Sequence, residues 1–214
     1  MPLPEIVSRE QWRTARQKLL RKEEAFQRAR EALAADRQRL PMVEADPDYV
    51  FEGGDGRVSL LDLFEGRGQL VVHHFMFAPE WESGCPCCAA FLDQIGNLAH
   101  LRVRNTAFAA VSRAPFRRIL PFKARMGWAV PWYSSGRGDF NSDFGATVES
   151  GGELVERPGV SCFLRDHDRV FHTYSVYDDG LDGLGAVSGL LDLTALGRSP
   201  AGNVGLRLHD EYDC

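Results

Sequence analysis

No stretch of this 214-residue chain stays apolar long enough to cross a bilayer, a task that takes about 20 consecutive apolar residues in a helix. The opening Met1-Pro2-Leu3-Pro4-Glu5 lacks the basic start and apolar core of a secretory signal, so the expected location is the cytoplasm, with no membrane partner. Internal repeats are missing, and so is any aromatic or Gly-rich module of the kind that binds RNA. The net charge of −5 argues further against a nucleic-acid partner. A second Cys/His pair at zinc-ligand spacing is also lacking. Five cysteines remain, an odd number with three clustered. In a reducing compartment that pattern fits catalysis or metal binding better than a disulfide scaffold.

The cluster is Cys85-Pro86-Cys87-Cys88. It places Cys85 and Cys88 in Cys-x-x-Cys spacing just after an apolar run, 69–77, that reads as a buried strand. Behind it, apolar residues at 91, 92, 95, 98 and 101 follow helical spacing, so one helix is expected over 89–101. Pro86 suits a helix's first position, where a missing N–H costs nothing. A thiol at such a helix start is stabilised as thiolate by the unpaired first-turn amides. This is redox geometry, with Cys85 as the attacking thiol and Cys88 as its partner.

Ahead of this unit lies a basic arm. Between Arg9 and Arg39 ten basic residues face five acidic ones, an excess of +5 that leaves −10 for the remainder. Ser8 and Gln11 form a capping-box pattern and Pro41 marks the far end, which predicts one helix over 9–39. Along it Trp12, Leu19, Phe26, Leu33 and Leu40 recur every seven residues. Such a stripe is expected to be buried on the chain's own domain or on a second copy in a homodimer.

The rest reads as a series. Tyr49-Val50-Phe51 and Arg57-Val58-Ser59-Leu60 flank a Gly-rich turn as a hairpin. Thr106–Ser112 is a strand, 115–126 a helix stopped by Gly127, and 128–158 mostly loop. Ser161–Arg165 and Arg169–Tyr177 form a second hairpin, followed by a helical stretch over 184–196. Strands alternating with helices predict an α/β fold with a parallel core and an antiparallel edge.

This order, with the dithiol at the strand-to-helix junction, resembles the thioredoxin fold. Phe51, Asp55-Gly56, Leu60-x-Asp62-Leu63 and Gly66 are similar to the opening hairpin of peroxiredoxin-like and membrane-tethered thioredoxin-like proteins. Over nearly its whole length the chain resembles a bacterial thioredoxin-like family of unknown function. The resemblance is carried by Pro4-Glu5-Ile6-Val7-Ser8 with Trp12, His74-Phe75-Met76-Phe77, Cys85-Pro86-x-Cys88, Phe122 to Trp128, Pro131 to Ser135 and Val170 to Ser175. It implies a central mixed sheet flanked by helices, with a helical arm over 1–41, the thioredoxin-like domain over 42–198 and a tail over 199–214.

The resemblance also implies a mechanism. Cys85 attacks a protein or small-molecule disulfide, Cys88 resolves the mixed disulfide, and an upstream reductant resets the pair, with no cofactor. A buried acid commonly stands where His74 falls, which makes His74 the expected proton acceptor for Cys88, while His73 points to the other face. Trp81, Pro86, Trp128, Val160 and Ser161 are the expected substrate contacts. Two features depart from the relatives. Trp81 sits four residues before Cys85, and Val160 stands where thioredoxins place a cis-proline. Pro79 to Cys85 is one residue short of the peroxiredoxin pattern, although Arg113 follows the third strand at a possible activating position. Two rival readings are a soft copper or zinc site built from the cysteines with His73 or His74, and a redox-inert scaffold.

Overall fold

The computed structural model describes residues 4–136, 138–195, 197–198 and 206–212. Its first element is the arm, α1 (Arg9–Gln38). The capping box forms as the sequence predicts: Gln11 N donates to Ser8 Oγ at 3.2 Å and Ser8 N donates to Gln11 Oε1 at 2.9 Å.

The stripe on α1 is not buried within the chain. Trp12, Leu19, Phe26, Leu33 and Leu40 are 49% to 70% exposed, and α1 contains no buried residue. One apolar residue per seven makes a stripe narrower than the face a core-packed helix needs. Near its end the Arg37 guanidinium lies over the Tyr174 ring, 5.0 Å from the centroid.

Beyond the arm, β1 (Val43–Ala45) precedes the hairpin of β2 (Val50–Gly53) and β3 (Gly56–Ser59). Gly56 takes φ +105°, a conformation open to glycine and costly for other residues. A 3₁₀ turn at Asp62–Phe64 follows, its Asp62 carboxylate accepting from Ser59 N and Oγ at 2.8 and 2.7 Å. The central strands are β4 (Gln69–His74) and β5 (Thr106–Ser112). β4 is shorter than the expected 69–77, although Phe75 N still donates to Val111 O at 2.9 Å.

The helix expected over 89–101 is two helices, α2 (Pro86–Asp93) and α3 (Ala99–Arg102). The break is local polar chemistry. Gln94 Nε2 folds back onto the Ala90 carbonyl at 2.6 Å, and Asn97 Oδ1 accepts from Ala99 N at 2.9 Å, an alternative to continued helix. Next comes α4 (Phe116–Arg125), with Gly127 at φ +65° just past its end as expected.

Residues 128–158, read as mostly loop, contain β6 (Trp132–Ser134), α5 (Phe140–Asp143), and a hairpin of β7 (Thr147–Ser150) and β8 (Glu153–Glu156). Strands of three or four residues are too short to show alternation, and their partners define them. The second hairpin, β9 (Gly159–Asp166) with β10 (Arg169–Tyr177), turns where the sequence places it. The helical stretch expected over 184–196 is a 3₁₀ run, Asp178–Leu184, and α6 (Ala186–Leu191). Leu196 and Cys214 lie outside the described residues.

Eight strands form one mixed sheet in the order β1-β10-β9-β4-β5-β6-β2-β3. β4, β5 and β6 run parallel, while β9 is antiparallel to β4. One core lies on each face. Phe75, Cys88, Leu92, Ile119 and Trp132 fill the first, and Phe51, Leu70, Val72, Phe140 and Phe163 fill the second. Part of the tail belongs to the body: Leu208 is buried in the first core, and Arg125 pairs with Asp210 at 2.6 Å and Glu211 at 2.9 Å. Among the described residues no helix is long and apolar enough to cross a membrane.

Because Phe26 is 70% exposed, Phe26→Asp is expected to leave monomer stability within about 0.5 kcal/mol of wild type. Urea unfolding checks this, and light scattering of both proteins reads any loss of self-association.

Candidate functional site

Parity along β4 decides which side chains meet the dithiol. Successive strand residues point to opposite faces. Leu70 and Val72 belong to the second core, while Val71 and Phe75 pack in the first with Cys88. His73 therefore stands on the dithiol face and His74 on the other, the reverse of the sequence expectation. His73 lies against Phe91 of α2, ring centroids 4.6 Å apart. His74 lies 5.6 Å from Phe140 in the second core, and its Nε2 is bonded to Ser161 Oγ at 2.8 Å. Ser161, an expected substrate contact, thus shares the wrong face. From it a polar chain continues to Ser175 Oγ at 2.7 Å and on to His172 Nε2 at 2.7 Å.

The dithiol turn is built by backbone. Cys85, extended at φ −64° and ψ 130°, is the N-cap of α2, with Pro86 as the first helical residue. The neighbouring Cys88 and Cys87 thiols and amides at this helix start favour the charged form of its sulfur. The Cys88 thiol has the largest effect, burial opposes it, and the Cys85 pKa comes down to about 6. The other described cysteines go the other way. Burial raises Cys87, with the negative Cys85 beside it adding to the effect, and raises Cys88 far more. Burial alone raises Cys162. One thiol is thus prepared as thiolate and its neighbours as proton donors.

His73 is fully buried, which pulls its pKa down to about 4 against the opposing pull of the Gly159 and Cys88 carbonyls. It is neutral at pH 7. Its Nδ1 meets the Gly159 carbonyl at 3.2 Å, an acceptor, so the proton sits on Nδ1 and Nε2 carries the lone pair. That Nε2 has no hydrogen-bond partner among the described residues. Burial, with His73 and His172 adding to it, likewise brings His74 down to about 3.

Other expected contacts reach the dithiol face. Val160 is buried opposite His73 in the β4–β9 register. Trp81 is half-buried on the first core, and Arg118 Nη1 donates to its carbonyl at 2.6 Å. Trp128 meets Phe75 edge-on, ring centroids 5.9 Å apart, and its Nε1 donates to Asp93 Oδ1 at 2.7 Å. His209 of the tail reaches the same Asp93 oxygen at 2.8 Å, a contact the sequence reading did not anticipate. Arg113 is engaged elsewhere, in a 2.7 Å ion pair with the buried Glu156 of β8. Among the described residues no group of three or more His, Cys, Asp or Glu side chains is placed to hold a metal ion. The soft-metal reading finds no ligand set there.

The family described as "Bacterial protein of unknown function (DUF899)" matches residues 1–212. The chain belongs to that family. No curated protein sequence matches it. Among solved structures, the DUF899 chain is similar to peroxiredoxin Q of Xanthomonas campestris, with TM-score 0.52 and 16% identity over 73% of this chain and 98% of that one. It is also similar to a mutant of PrxQ from Xylella fastidiosa, with TM-score 0.51 and 13% identity over 65% and 86% of the two chains. At such identities the likeness shows the fold, which is thioredoxin-like, as carried by peroxiredoxins.

Two expectations follow from this geometry. The alkylation rate of Cys85 rises with pH through about 6 and then levels off, because only the thiolate reacts. Cys87, Cys88 and Cys162 respond only at higher pH, and a Cys85 midpoint at the ordinary value of about 8.5 refutes the assignment. Gly84 leaves no room for a side chain, since an added Cβ would stand 2.5 Å from Phe75 and 2.8 Å from Phe122. Gly84→Ala is expected to cost about 1–3 kcal/mol by overpacking, read from the urea midpoint.

Proposed function

We propose that this protein is a thiol–disulfide oxidoreductase in which Cys85 attacks and Cys88 resolves. The observation that carries the reading is the place of Cys85 at the N-cap of α2, beside Cys87 and Cys88, where it is the one acidified thiol among the described cysteines. The Cys85 thiolate attacks a substrate disulfide, forming a mixed disulfide and releasing one substrate thiolate. Cys88 then attacks the Cys85 sulfur, freeing the second substrate thiol and leaving a Cys85–Cys88 disulfide that an upstream dithiol reductant resets.

Cys88 is buried and holds its proton tightly, so its attack needs an acceptor. His73 replaces His74 in that role, because it shares the dithiol face and keeps an open lone pair on Nε2. The setting that suits this chemistry is a reducing cytoplasm. The exposed stripe of α1 is the surface through which a homodimer would form.

Oxidised protein, digested and mass-mapped, is expected to show a Cys85–Cys88 link, and reduced protein to reduce insulin disulfides in a manner abolished by Cys85→Ser. His73→Leu is expected to slow the second step, so that the mixed disulfide on Cys85 accumulates, without moving the Cys85 alkylation midpoint. A link from Cys87 to Cys162, or insulin reduction that survives Cys85→Ser, would falsify the reading.

A further inference from the structure

Beside the dithiol lies a cavity of about 610 Å³ whose wall includes Cys87 and Cys88 but not Cys85. The volume suits a small molecule rather than a protein segment. His73, Met76 and Phe91 line the side of the sheet and α2, and Leu181 and Leu191 line the side of the 3₁₀ run and α6. The rim is predominantly acidic. Asp178, Asp179 and Asp182 stand on it with one guanidinium, Arg198. That guanidinium is already shared between Asp182 at 3.2 Å and Asp192 at 2.7 Å, and Asp178 is paired with Arg157. The local sum of Asp178, Asp179, Asp182 and Asp192 against Arg157 and Arg198 is −2.

We propose that this cavity binds a low-molecular-weight disulfide carrying protonated amines, and that Cys87 is the thiol that attacks it. The proposal rests on the oxidoreductase reading above and gives that centre a second, inward-facing substrate. Cys87 is the less buried of the two thiols on the cavity wall, and it stands in the first turn of α2 next to the Cys85 N-cap. The Cys87 thiol gives its proton to water as its sulfur attacks, forming a Cys87–substrate disulfide and expelling one amino-thiolate, which is protonated from solvent. Cys85 is a thiolate near neutral pH. It then attacks the Cys87 sulfur. The second aminothiol leaves, and a Cys85–Cys87 disulfide remains for the upstream reductant. Two protein thiols are oxidised and one substrate disulfide is reduced to two thiols. The apolar walls exclude water from the exchanging sulfurs, and the carboxylate rim holds the ammonium groups at the mouth.

The test is single-turnover kinetics of pre-reduced full-length protein with three probes: cystamine, which is cationic, bis(2-hydroxyethyl) disulfide, which is neutral, and glutathione disulfide, which is anionic. The expected order of second-order rate constants is cystamine, then the neutral disulfide, then glutathione disulfide, with the spread shrinking at high salt. In Cys85→Ser the reaction is expected to stop at a cysteamine adduct on Cys87, located by peptide mass mapping. In Cys87→Ser the ratio of cystamine to insulin reduction should fall. Asp179→Asn and Asp182→Asn, both at exposed positions, should each narrow the cystamine preference roughly two- to fivefold. Insulin reduction with equal rates for all three small probes, or a cysteamine adduct that maps to Cys88 in Cys85→Ser, overturns the cavity proposal and leaves the oxidoreductase reading standing. Failure of wild type to reduce insulin and cystamine alike removes both.

Discussion

Met76 holds the dithiol turn from both ends. Its carbonyl accepts from Cys85 N at 3.0 Å, and its own N–H donates to Cys88 Sγ at 3.3 Å. Neighbouring residues are pinned to the sheet: Ser112 Oγ donates to the Phe75 carbonyl at 2.7 Å, and Ala114 N donates to the Phe77 carbonyl at 2.7 Å. The segment that leaves β4 is thus tied to the residues after β5 before it reaches the cysteines. With the backbone fixed, Cys85 has one place to go, the N-cap of α2, at the helix end whose unpaired first-turn amides favour negative charge. The acidity of one thiol is therefore a property of the chain path rather than of a neighbouring cationic side chain.

The sheet divides the polar chemistry by parity. On one face His73, Cys87 and Cys88 share a cavity wall, and on the other His74, Ser161, Ser175 and His172 make a run of hydrogen bonds beside an apolar core. Buried polar groups persist where partners satisfy them, and the second face meets that condition apart from His74 Nδ1. The two adjacent histidines look interchangeable in sequence. Their roles separate only once the register places Val72 opposite Ser161 and His73 opposite Val160.

Much of the architecture was legible because its signals are local. The Ser8 capping box, the Gly-rich β2–β3 turn and the proline after Cys85 each act within a few residues. What escaped depends on distant partners. β6 exists through pairing with β5, and Glu156 of β8 is anchored by Arg113 and by Thr147 Oγ1 at 3.1 Å. The apolar stripe of α1 is only half answered: periodicity reports a face able to pack, and among the described residues none buries it, which leaves a second copy as the other expected partner. The same Arg113–Glu156 pair separates the site from a peroxide-activating one, because the cation the sequence offered for that task is spent on holding the β7–β8 hairpin.

The docked segment around Leu208 has a practical side. Its His209 touches Asp93 at the last turn of the dithiol helix, and Arg125 grips the two acidic residues that follow. A reporter or purification handle fused at the carboxyl end would pull on the helix that carries Cys87 and Cys88. One fused at the amino end would ride on an arm whose residues are nowhere buried, which makes that end the choice for labelling, surface immobilisation or pull-down.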